Sequence, residues 1–379
     1  MKYAIINTNI VMPDHMIRDG VIIVEDGIIK DFGRGISYTG MDVVDAKGRY
    51  TGPGLVDIHT HADGDTLFSE DPKKVAHRLL HHGITDVMPA LYFSETCDEL
   101  ISQIKTIRAA KVSGDAPNIA GLYMEAPYMN PKFGCNRENN PWRGEIKKDE
   151  YMPLVKEGGD FVKVWVLAPE RDGIENFVID AKKENPNVTF AVGHSEAEPK
   201  DIEKLFKYGL RIATHHMNAT GTLEKYPECR TACVDETALY NDSIYTELIC
   251  DKVGIHVSPY LLRMVKKIKG DDRIILISDA FVDHGPIPEG YEGADDINFD
   301  FSGEIAGSKM ILDGSCRNMM FHTGASLCQI FKYASRNPAR AIGLTDRGEI
   351  AKGNKANLII VDAEFNVDKV ILGGKIVKE

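Results

Sequence analysis

Two histidines stand one residue apart at the end of a short apolar run, in "GLVDIHTH" (residues 54–61). Side chains alternate across a β-strand, so His59 and His61 are expected on one face while Thr60 points to the other. Two imidazoles on one face can converge on a single ion. The motif therefore predicts metal binding, although a pair of this kind is also compatible with polar residues at a frayed strand end.

Further metal-type donors follow four other β-like runs of the chain. They are Glu125 in "IAGLYMEA" (119–126), His194 in "TFAVGHS" (189–195), His215 and His216 in "RIATHHMN" (211–218), and Asp279 in "IILISDA" (274–280). Nitrogen and oxygen donors in this mixture suit Zn²⁺, Fe²⁺ or Mn²⁺. Alternation sends only one of the adjacent histidines inward, and the pattern alone leaves that choice open.

These runs belong to a repeating series of strands and helices. The β-like segments are 55–61, 84–91, 119–126, 161–168, 189–195, 211–218, 245–251 and 274–280, with helical candidates at 72–82, 97–111, 171–185, 199–208 and 259–269. Eight such units predict a (β/α)8 TIM-type barrel, whose strands carry the active site at their carboxyl ends. A doubly wound open sheet is the alternative, weakened because no glycine-rich phosphate fingerprint follows an early strand.

The two ends of the chain read differently from its middle. Residues 3 to 50 and 356 to 378 contain short β elements separated by Gly and Asp turn signals. Neither end has enough strands to close a core alone. We therefore expect one small, discontinuous β-sandwich domain from residues 1–52 and 345–379, and a hydrolase barrel from residues 53–344.

Asp279 is the candidate general base. A carboxylate at the last strand can accept a proton from a water that attacks a carbonyl, or it can serve as a ligand without moving a proton. Asp57, on the strand face of the two histidines, is either a partner that orients an imidazole or an ordinary buried polar residue. Lys163 on the fourth strand could bridge two metal ions if it were carboxylated. It is a less favoured ligand, because Glu125 can supply the bridging oxygens instead.

Composition restricts the class of partner. The chain has 379 residues and a net charge of −12, which argues against nucleic-acid binding. Its seven cysteines have no paired spacing and are expected as thiols in a reducing compartment. The start of the chain has no signal-peptide pattern, and no run of about 18 apolar residues suggests a membrane span. We expect a cytoplasmic protein with a small-molecule substrate.

The chain also resembles the amidohydrolase superfamily, and within it the N-acetylglucosamine-6-phosphate deacetylase family. The resemblance spans nearly the whole chain and is carried by "PGLVDIHTHADGD", "GLYMEAPYMNPKFG", "VKVWVLAPE", "VGHSEA", "THHMNAT", "ELICDKVGIHVSP", "ILISDA", "GEIAGS" and "NPARAIGL". It implies that Glu125, His194 and His215 rather than His216 hold a metal ion. His59 and His61 match members that hold a second ion, and Asp279 matches the general base, which passes its proton to the leaving amine.

The resemblance also implies a substrate site and a homodimer. The corresponding residues are His256, Asn218, Ala219, and the loop residues Ile305, Ala306 and Gly307. The departures fall in this site, where Cys135–Asn136 replaces an Ala-His pair. "KYPECR" replaces an arginine-containing phosphate segment, so a phosphate would meet Lys225 or Arg230. Lysine attracts phosphate as a point charge but lacks the bidentate fork of arginine.

We therefore expect a metal-dependent amide hydrolase that uses one or two divalent ions, Zn or Fe first and Mn next. Its expected substrate is an N-acetyl amino-sugar phosphate, with N-acetylglucosamine 6-phosphate as first choice. The altered phosphate segment motivates an alternative, the same chemistry on a different acylamino compound or a cyclic amide. A third hypothesis, a catalytically dead barrel that serves as a binding module, predicts missing ligands.

Overall fold

The computed structural model describes residues 1–282 and 285–378. The first five strands form most of one sheet, and they are β1 (Lys2–Val11), β2 (Met16–Glu25), β3 (Ile28–Gly33), β4 (Asp42–Asp45) and β5 (Tyr50–Pro53). Strand β1 pairs antiparallel with β2 and parallel with β4 and β5, and its side chains are mostly buried.

The central strands of the chain are parallel and almost completely buried. The first six are β6 (Leu55–Thr60), β7 (Ile84–Tyr92), β8 (Leu122–Glu125), β9 (Val162–Leu167), β10 (Thr189–Val192) and β11 (Leu210–Ala213). After a surface hairpin, β12 (Leu223–Tyr226) and β13 (Cys229–Thr231), the series ends with β14 (Tyr245–Ile249) and β15 (Ile274–Ile277). Their apolar side chains fill both faces because the barrel interior lies on one side and helices cover the other.

The remaining strands are a second hairpin, β16 (Ile297–Phe299) and β17 (Ile305–Ser308), and the C-terminal β18 (Leu358–Val361), β19 (Val367–Leu372) and β20 (Lys375–Lys378). Strand β18 pairs with β5, so both ends of the chain share one sheet in the order β20-β19-β18-β5-β1-β2-β3, with β4 beside β1. The predicted β unit built from both termini is confirmed.

Helices follow the parallel strands in regular alternation. They are α1 (Pro72–His81), α2 (Cys97–Ser113), α3 (Lys148–Gly158), α4 (Ile174–Glu184), α5 (Pro199–Glu203), α6 (Val234–Tyr240), α7 (Pro259–Lys269), α8 (Leu312–Thr323), α9 (Leu327–Phe331) and α10 (Asn337–Ala341). Short turns of 3₁₀ helix cover Arg137–Asn139 and Phe206–Tyr208, and a π-helical turn covers Lys332–Arg336. In the described part of the chain, no helix is long and apolar enough to cross a membrane.

Local sequence signals set several helix ends. Thr96 and Glu99 form a reciprocal capping box at the start of α2, which ends at Gly114 in the left-handed conformation (φ 84°). The segment predicted as one helix over 199–208 divides into α5 and the 3₁₀ turn. Helices α3, α6, α8, α9 and α10 are additional to the helical candidates named from the sequence.

The parallel sheet runs in the order β6-β7-β8-β9-β10-β11-β14-β15, and its two edge strands meet just beyond their carboxyl ends. There the amide of Asp279 donates to the carbonyl of His59, and the amide of His61 to the carbonyl of Ala280, both at 3.0 Å. The side chain of Ser278 donates to Asp57 at 2.6 Å. The predicted (β/α)8 barrel is confirmed, and its strand ends converge on one mouth.

Candidate metal centre and substrate cavity

The carboxyl ends of five barrel strands bring six donor side chains together. His59 lies in β6 and Glu125 ends β8, whereas His61, His194, His215 and Asp279 follow β6, β10, β11 and β15 by one or two residues. All six side chains are buried. Residues far apart in the sequence therefore meet at one mouth, as the barrel predicts.

The backbone at three of these positions is strained. His194, His215 and Asp279 have positive φ angles of 46°, 26° and 47°, in the left-handed region that residues with a side chain avoid. Each such residue costs on the order of 1–3 kcal/mol, and strain of this kind concentrates at functional sites. Gly307 (φ 70°) passes so close that an added Cβ would lie 2.4 Å from the Asp279 carbonyl oxygen, so glycine is required there.

Glu125 gathers one group of donors around its Oε1 atom. His194 Nε2 lies 2.6 Å and His215 Nε2 lies 2.8 Å from Oε1, and the two nitrogens are 3.1 Å apart. The separate strand ends thus place three ligand atoms close enough to share one ion.

The other oxygen of Glu125 faces the second group. His61 Nε2 lies 3.1 Å and His59 Nε2 lies 3.6 Å from Glu125 Oε2. Both nitrogens are also near Asp279 Oδ1, at 3.4 Å for His61 and 3.5 Å for His59. Within the described ranges these are the two groups with metal-ligand geometry, and Glu125 bridges them.

The hydrogen bonds of the imidazoles fit a bound cation. His215 Nδ1 lies 3.2 Å from the carbonyl oxygen of Asn218, which can only accept, so Nδ1 carries the proton. His215 Nε2 then faces the Glu125 carboxylate. His59 Nε2 is buried without a hydrogen-bond partner among the described residues. A positive charge must lie between these nitrogens and the carboxylates, supplied by protons on the rings or by a metal ion.

The pKa values of the site reflect the same crowding of imidazoles and carboxylates. Burial by itself lowers the pKa of His59, His61 and His215, but the carboxylates of Glu125 and Asp279 outweigh burial and raise it. Burial raises the pKa of Asp279, but His59 and His61 outweigh that effect and lower it to about 2. The carboxylates are therefore ionised at neutral pH, as metal ligands must be.

Three residues that the sequence left open occupy other positions. His216 faces away from the donors, and its Nδ1 lies 3.2 Å from Asp235. Asp57 contacts Ser278 and the backbone amide of His59 rather than an imidazole. Lys163 lies on the half-exposed side of β9 and donates to the carbonyl of Asp160 at 2.7 Å.

Sequence reasoning missed Glu247, which lies in the middle of β14. Its fully buried carboxylate lies 3.3 Å from His59 Nδ1, and it accepts from Thr214 at 2.9 Å and Tyr123 at 3.1 Å. The available signal was a charged residue inside the otherwise apolar run of the seventh barrel strand. No cation other than a histidine pairs with it in the described part of the chain.

A cavity of about 270 Å³ opens above the two donor groups. Of the predicted substrate residues, seven line it, namely Cys135, Asn218, Ala219, His256, Ile305, Ala306 and Gly307. Asn136 instead lines an adjoining cavity of about 310 Å³. Phe281, Tyr92 and Ile249 add apolar surface to the main cavity, a feature that the sequence did not indicate.

The two cations predicted to meet a phosphate lie elsewhere in this single chain. Lys225 is in β12 and Arg230 in β13, so both belong to the exposed surface hairpin, and Arg230 pairs with Glu236 at 2.6 Å. Among the described residues that line the main cavity, none is a lysine or an arginine. His256 is instead the basic side chain on the cavity wall that stands apart from the donor groups.

Asp251 positions His256. Its Oδ1 accepts the backbone amides of Val253, Gly254 and Ile255, while Oδ2 accepts the amide of His256 at 2.8 Å and lies 3.2 Å from His256 Nδ1. His256 Nε2 is buried and has no partner among the described residues. It is therefore free to contact a ligand in the cavity.

The chain is similar to known proteins over nearly its whole length. The model of the amidohydrolase family matches residues 51–377. The N-acetylglucosamine-6-phosphate deacetylase of Haemophilus influenzae is 26% identical, with 99% of each chain covered. The N-acetylgalactosamine-6-phosphate deacetylase of Escherichia coli O157:H7 is 24% identical, covering 96% of this chain and 95% of the relative.

Two solved structures share the fold. The crystal structure of N-acetylglucosamine-6-phosphate deacetylase from Pasteurella multocida has a TM-score of 0.85 at 24% identity, with 99% of each chain covered. A mutant N-acetyl-D-glucosamine-6-phosphate deacetylase from Mycobacterium smegmatis, in complex with N-acetyl-D-glucosamine-6-phosphate, has a TM-score of 0.84 at 22% identity and full coverage of both chains. A barrel mouth with bridged donor groups, together with a family match over most of the sequence, establishes that this chain belongs to the amidohydrolase family.

Proposed function

We propose that this protein is a metal-dependent amide hydrolase that removes the acetyl group from an N-acetyl amino-sugar phosphate, with N-acetylglucosamine 6-phosphate as first choice. The observation that carries the proposal is the pair of donor groups bridged by Glu125 at the base of the cavity. The names of the full-length relatives support the substrate class.

The ligand assignment follows from the two groups. Glu125, His194 and His215 would hold one divalent ion, and His59, His61 and Asp279 together with the second Glu125 oxygen would hold another. Imidazole and carboxylate donors suit Zn²⁺ or Fe²⁺, and Mn²⁺ is the next choice. When bound, such an ion supplies Lewis acidity, which makes water a better nucleophile and polarises a carbonyl.

Asp279 performs the proton transfers in this proposal. Its ionised carboxylate accepts a proton from the water that attacks the acetyl carbonyl carbon. As the carbon–nitrogen bond breaks, Asp279 passes that proton to the amine nitrogen, which leaves as the free amino sugar beside acetate. Phe281 and Ile249 place apolar surface beside the reacting atoms, which would limit the access of bulk water.

The rest of the cavity would bind and orient the sugar. His256 Nε2 faces the cavity with its other nitrogen held by Asp251, and Asn218, Ala219 and Cys135 stand on the wall. The loop Ile305–Gly307 would cover the ring, and Asn136 the neighbouring recess. Lys225 and Arg230 remain the predicted phosphate partners, to be separated by mutation.

A second candidate has a specific observation in its favour. Because no lysine or arginine lines the described part of the cavity, a substrate without phosphate is also compatible with it. The candidate is the same chemistry on a different acylamino compound or a cyclic amide.

A substrate panel tests both candidates. The protein is stripped with a chelator, reloaded separately with Zn²⁺, Fe²⁺ or Mn²⁺, and assayed for acetate and free amine. The substrates are the 6-phosphates of N-acetylglucosamine and N-acetylgalactosamine, the two sugars without phosphate, an N-acetyl amino acid and a cyclic amide. Turnover of a phosphorylated sugar supports the first choice, and cleavage of another amide alone supports the second. Absence of stoichiometric metal and of all turnover would support the binding-module hypothesis.

We also propose a cytoplasmic homodimer with the domain limits expected from the sequence, 1–52 with 345–379 and 53–344. Glu379, at the end of that range, lies outside the described residues. Exposed aromatic side chains such as Phe321 and Tyr260 offer apolar surface for a second copy. Light scattering should give about twice the chain mass of 42.0 kDa, and limited proteolysis should cut near the exposed limit at residues 344–345.

A further inference from the structure

Beneath the donor groups, Glu247 is a carboxylate that the proposed reaction does not use. We infer that it is a positioning residue for His59, fixing the proton on Nδ1 so that Nε2 is the atom offered to a metal. This inference rests on the metal binding in the proposed function. The ion held by His59, His61 and Asp279, called here the His59 ion, should depend on Glu247 for its affinity. The ion held by Glu125, His194 and His215 should not.

The groups around Glu247 make its carboxylate a hydrogen-bond acceptor. Its Oε2 faces the Thr214 hydroxyl at 2.9 Å, the backbone amide of His215 at 3.3 Å and His59 Nδ1 at 3.3 Å, and the Tyr123 hydroxyl lies 3.1 Å from Oε1. The backbone amide can only donate, and both hydroxyls have a proton to give. A buried carboxylate with donors on every side accepts from all of them.

The hydroxyl protons then decide the state of the imidazole. Thr214 Oγ1 lies 3.1 Å from His59 Nδ1, slightly nearer than Glu247. Its one proton faces the Glu247 carboxylate at 2.9 Å, and the single Tyr123 proton is already given to Glu247 Oε1. Toward His59 the Thr214 oxygen therefore offers a lone pair. His59 Nδ1 therefore donates its proton to these two acceptors, Thr214 Oγ1 and Glu247 Oε2. The lone pair of His59 Nε2 is left to bind a cation.

Packing fixes the ring in the same place. The Tyr123 ring stacks on the His59 imidazole with centroids 4.3 Å apart and planes 27° apart. Among the six donors, His59 is the side chain whose ring nitrogen contacts the Glu247 carboxylate; His215 meets it through the backbone amide only. The group Glu125, His194 and His215 does not depend on this carboxylate for its ring nitrogens.

The test compares Glu247→Leu with wild type in the affinity of each ion. Without the carboxylate, the Thr214 hydroxyl can turn its proton toward Nδ1 and favour the wrong tautomer. Loss of an orienting partner of a ligating histidine lowers metal affinity by about 10–100-fold. Metal content is measured after equilibration at buffered free Zn²⁺ concentrations, and His59→Gln identifies the ion lost. Anomalous scattering from zinc-loaded crystals gives the occupancy of each position independently.

Glu247→Gln is the conservative variant and the safeguard against misfolding. Its amide oxygen can occupy the Oε2 position and keep the tautomer, but a neutral amide is a weaker acceptor than a carboxylate, so it should recover only part of the lost affinity and stay at least about threefold weaker than wild type. Asp180→Leu is the matched control, because Asp180 is a buried carboxylate that accepts from the Tyr151 hydroxyl at 2.8 Å between α3 and α4. It should leave both affinities unchanged.

Selective loss of the His59 ion in Glu247→Leu, with partial recovery in Glu247→Gln, supports the inference. Equal weakening of both ions, or affinities of both variants within twofold of wild type, overturns it. If Glu247→Leu does not fold, a loss of threefold or more at the His59 ion in Glu247→Gln supports the inference and an unchanged affinity overturns it. Failure of wild type to bind any metal would instead refute the proposed function, so the two failures are distinguishable.

Discussion

The substitution Asp251→Asn tests whether a single carboxylate holds His256 in the cavity wall. The replacement keeps the oxygen that accepts from Val253, Gly254 and Ile255, but it places an amide NH₂ opposite the backbone amide of His256. A buried donor without an acceptor costs about 1–3 kcal/mol, and a lost hydrogen bond to a charged group about 1.5–3 kcal/mol. The cost of the buried donor and the cost of the lost hydrogen bond add together. We expect the free energy of unfolding to fall by about 3 kcal/mol, near the low end of their combined range.

The size of the chain converts this cost into a melting temperature. With an unfolding entropy of about 2.1 cal/mol/K per residue, 379 residues give about 0.8 kcal/mol/K, so Tm should fall by about 4 °C. His256 Nδ1 also loses its acceptor, and the ring is then free to turn from the cavity. The loss of one substrate hydrogen bond worth about 1.4 kcal/mol raises KM about tenfold, with kcat little changed.

Differential scanning calorimetry and steady-state kinetics measure the two effects. The hydrogen bonds to His256 lower the pKa of Asp251 to about 2 even though burial raises it. A lowered pKa stabilises the fold above the unfolded value near 4, and this contribution is lost as the pH falls through the folded value. The difference in Tm between variant and wild type should therefore narrow from pH 4 downward.

Asp362→Asn is the matched control for these measurements. Asp362 likewise accepts backbone amides in a turn, from Glu364 and Asn366, but it is partly exposed just after β18, and no described histidine hydrogen-bonds to it. It should melt within about 1 °C of wild type with an unchanged KM. An Asp251→Asn protein with wild-type Tm and KM would refute the role assigned to Asp251.

Three further substitutions test the site. Asp279→Asn should retain the ion of the Glu125 group by metal analysis and reduce kcat by about 10²–10⁴-fold, and unchanged turnover would remove Asp279 from the proton transfers. Lys225→Ala should raise KM for a phosphorylated substrate more than it lowers kcat; if only Arg230→Ala does so, Arg230 is the phosphate partner. Gly307→Ala places a Cβ 2.4 Å from the Asp279 carbonyl and should lower Tm by more than Gly343→Ala, whose positive φ is similar but whose Cβ would meet no atom within 4 Å. Equal melting of the two alanine variants would contradict the close approach at Asp279.

The periodic parts of the fold were predictable from the sequence. Continuous apolar runs alternating with helical segments predicted the eight barrel strands, because a strand buried on both faces must be apolar along its whole length. The alternation of side chains likewise placed His59 and His61 on one face. The strand-end rule then put Glu125, His194 and Asp279 at the same mouth without any knowledge of their distances.

What the sequence left open involves contacts between segments distant along the chain. The choice between His215 and His216 depends on a residue just past the end of β11, with φ 26°, where strand alternation no longer applies. Glu247 is locally one charged residue in an apolar strand, and its contact with His59 arises only when closure of the barrel brings β15 and its neighbour β14 beside β6. The position of Lys225 likewise depends on a hairpin whose orientation no local pattern specifies.

The sequence by itself thus determined that His59 and His61 share one strand face and that metal-type donors end several barrel strands, because both features depend on local patterns along the chain. Only the tertiary structure decided which oxygen of Glu125 faces which imidazoles and which groups hold the ring protons. Those features depend on distances of about 3 Å between atoms on different strands, and closure of the barrel sets such distances rather than any single segment.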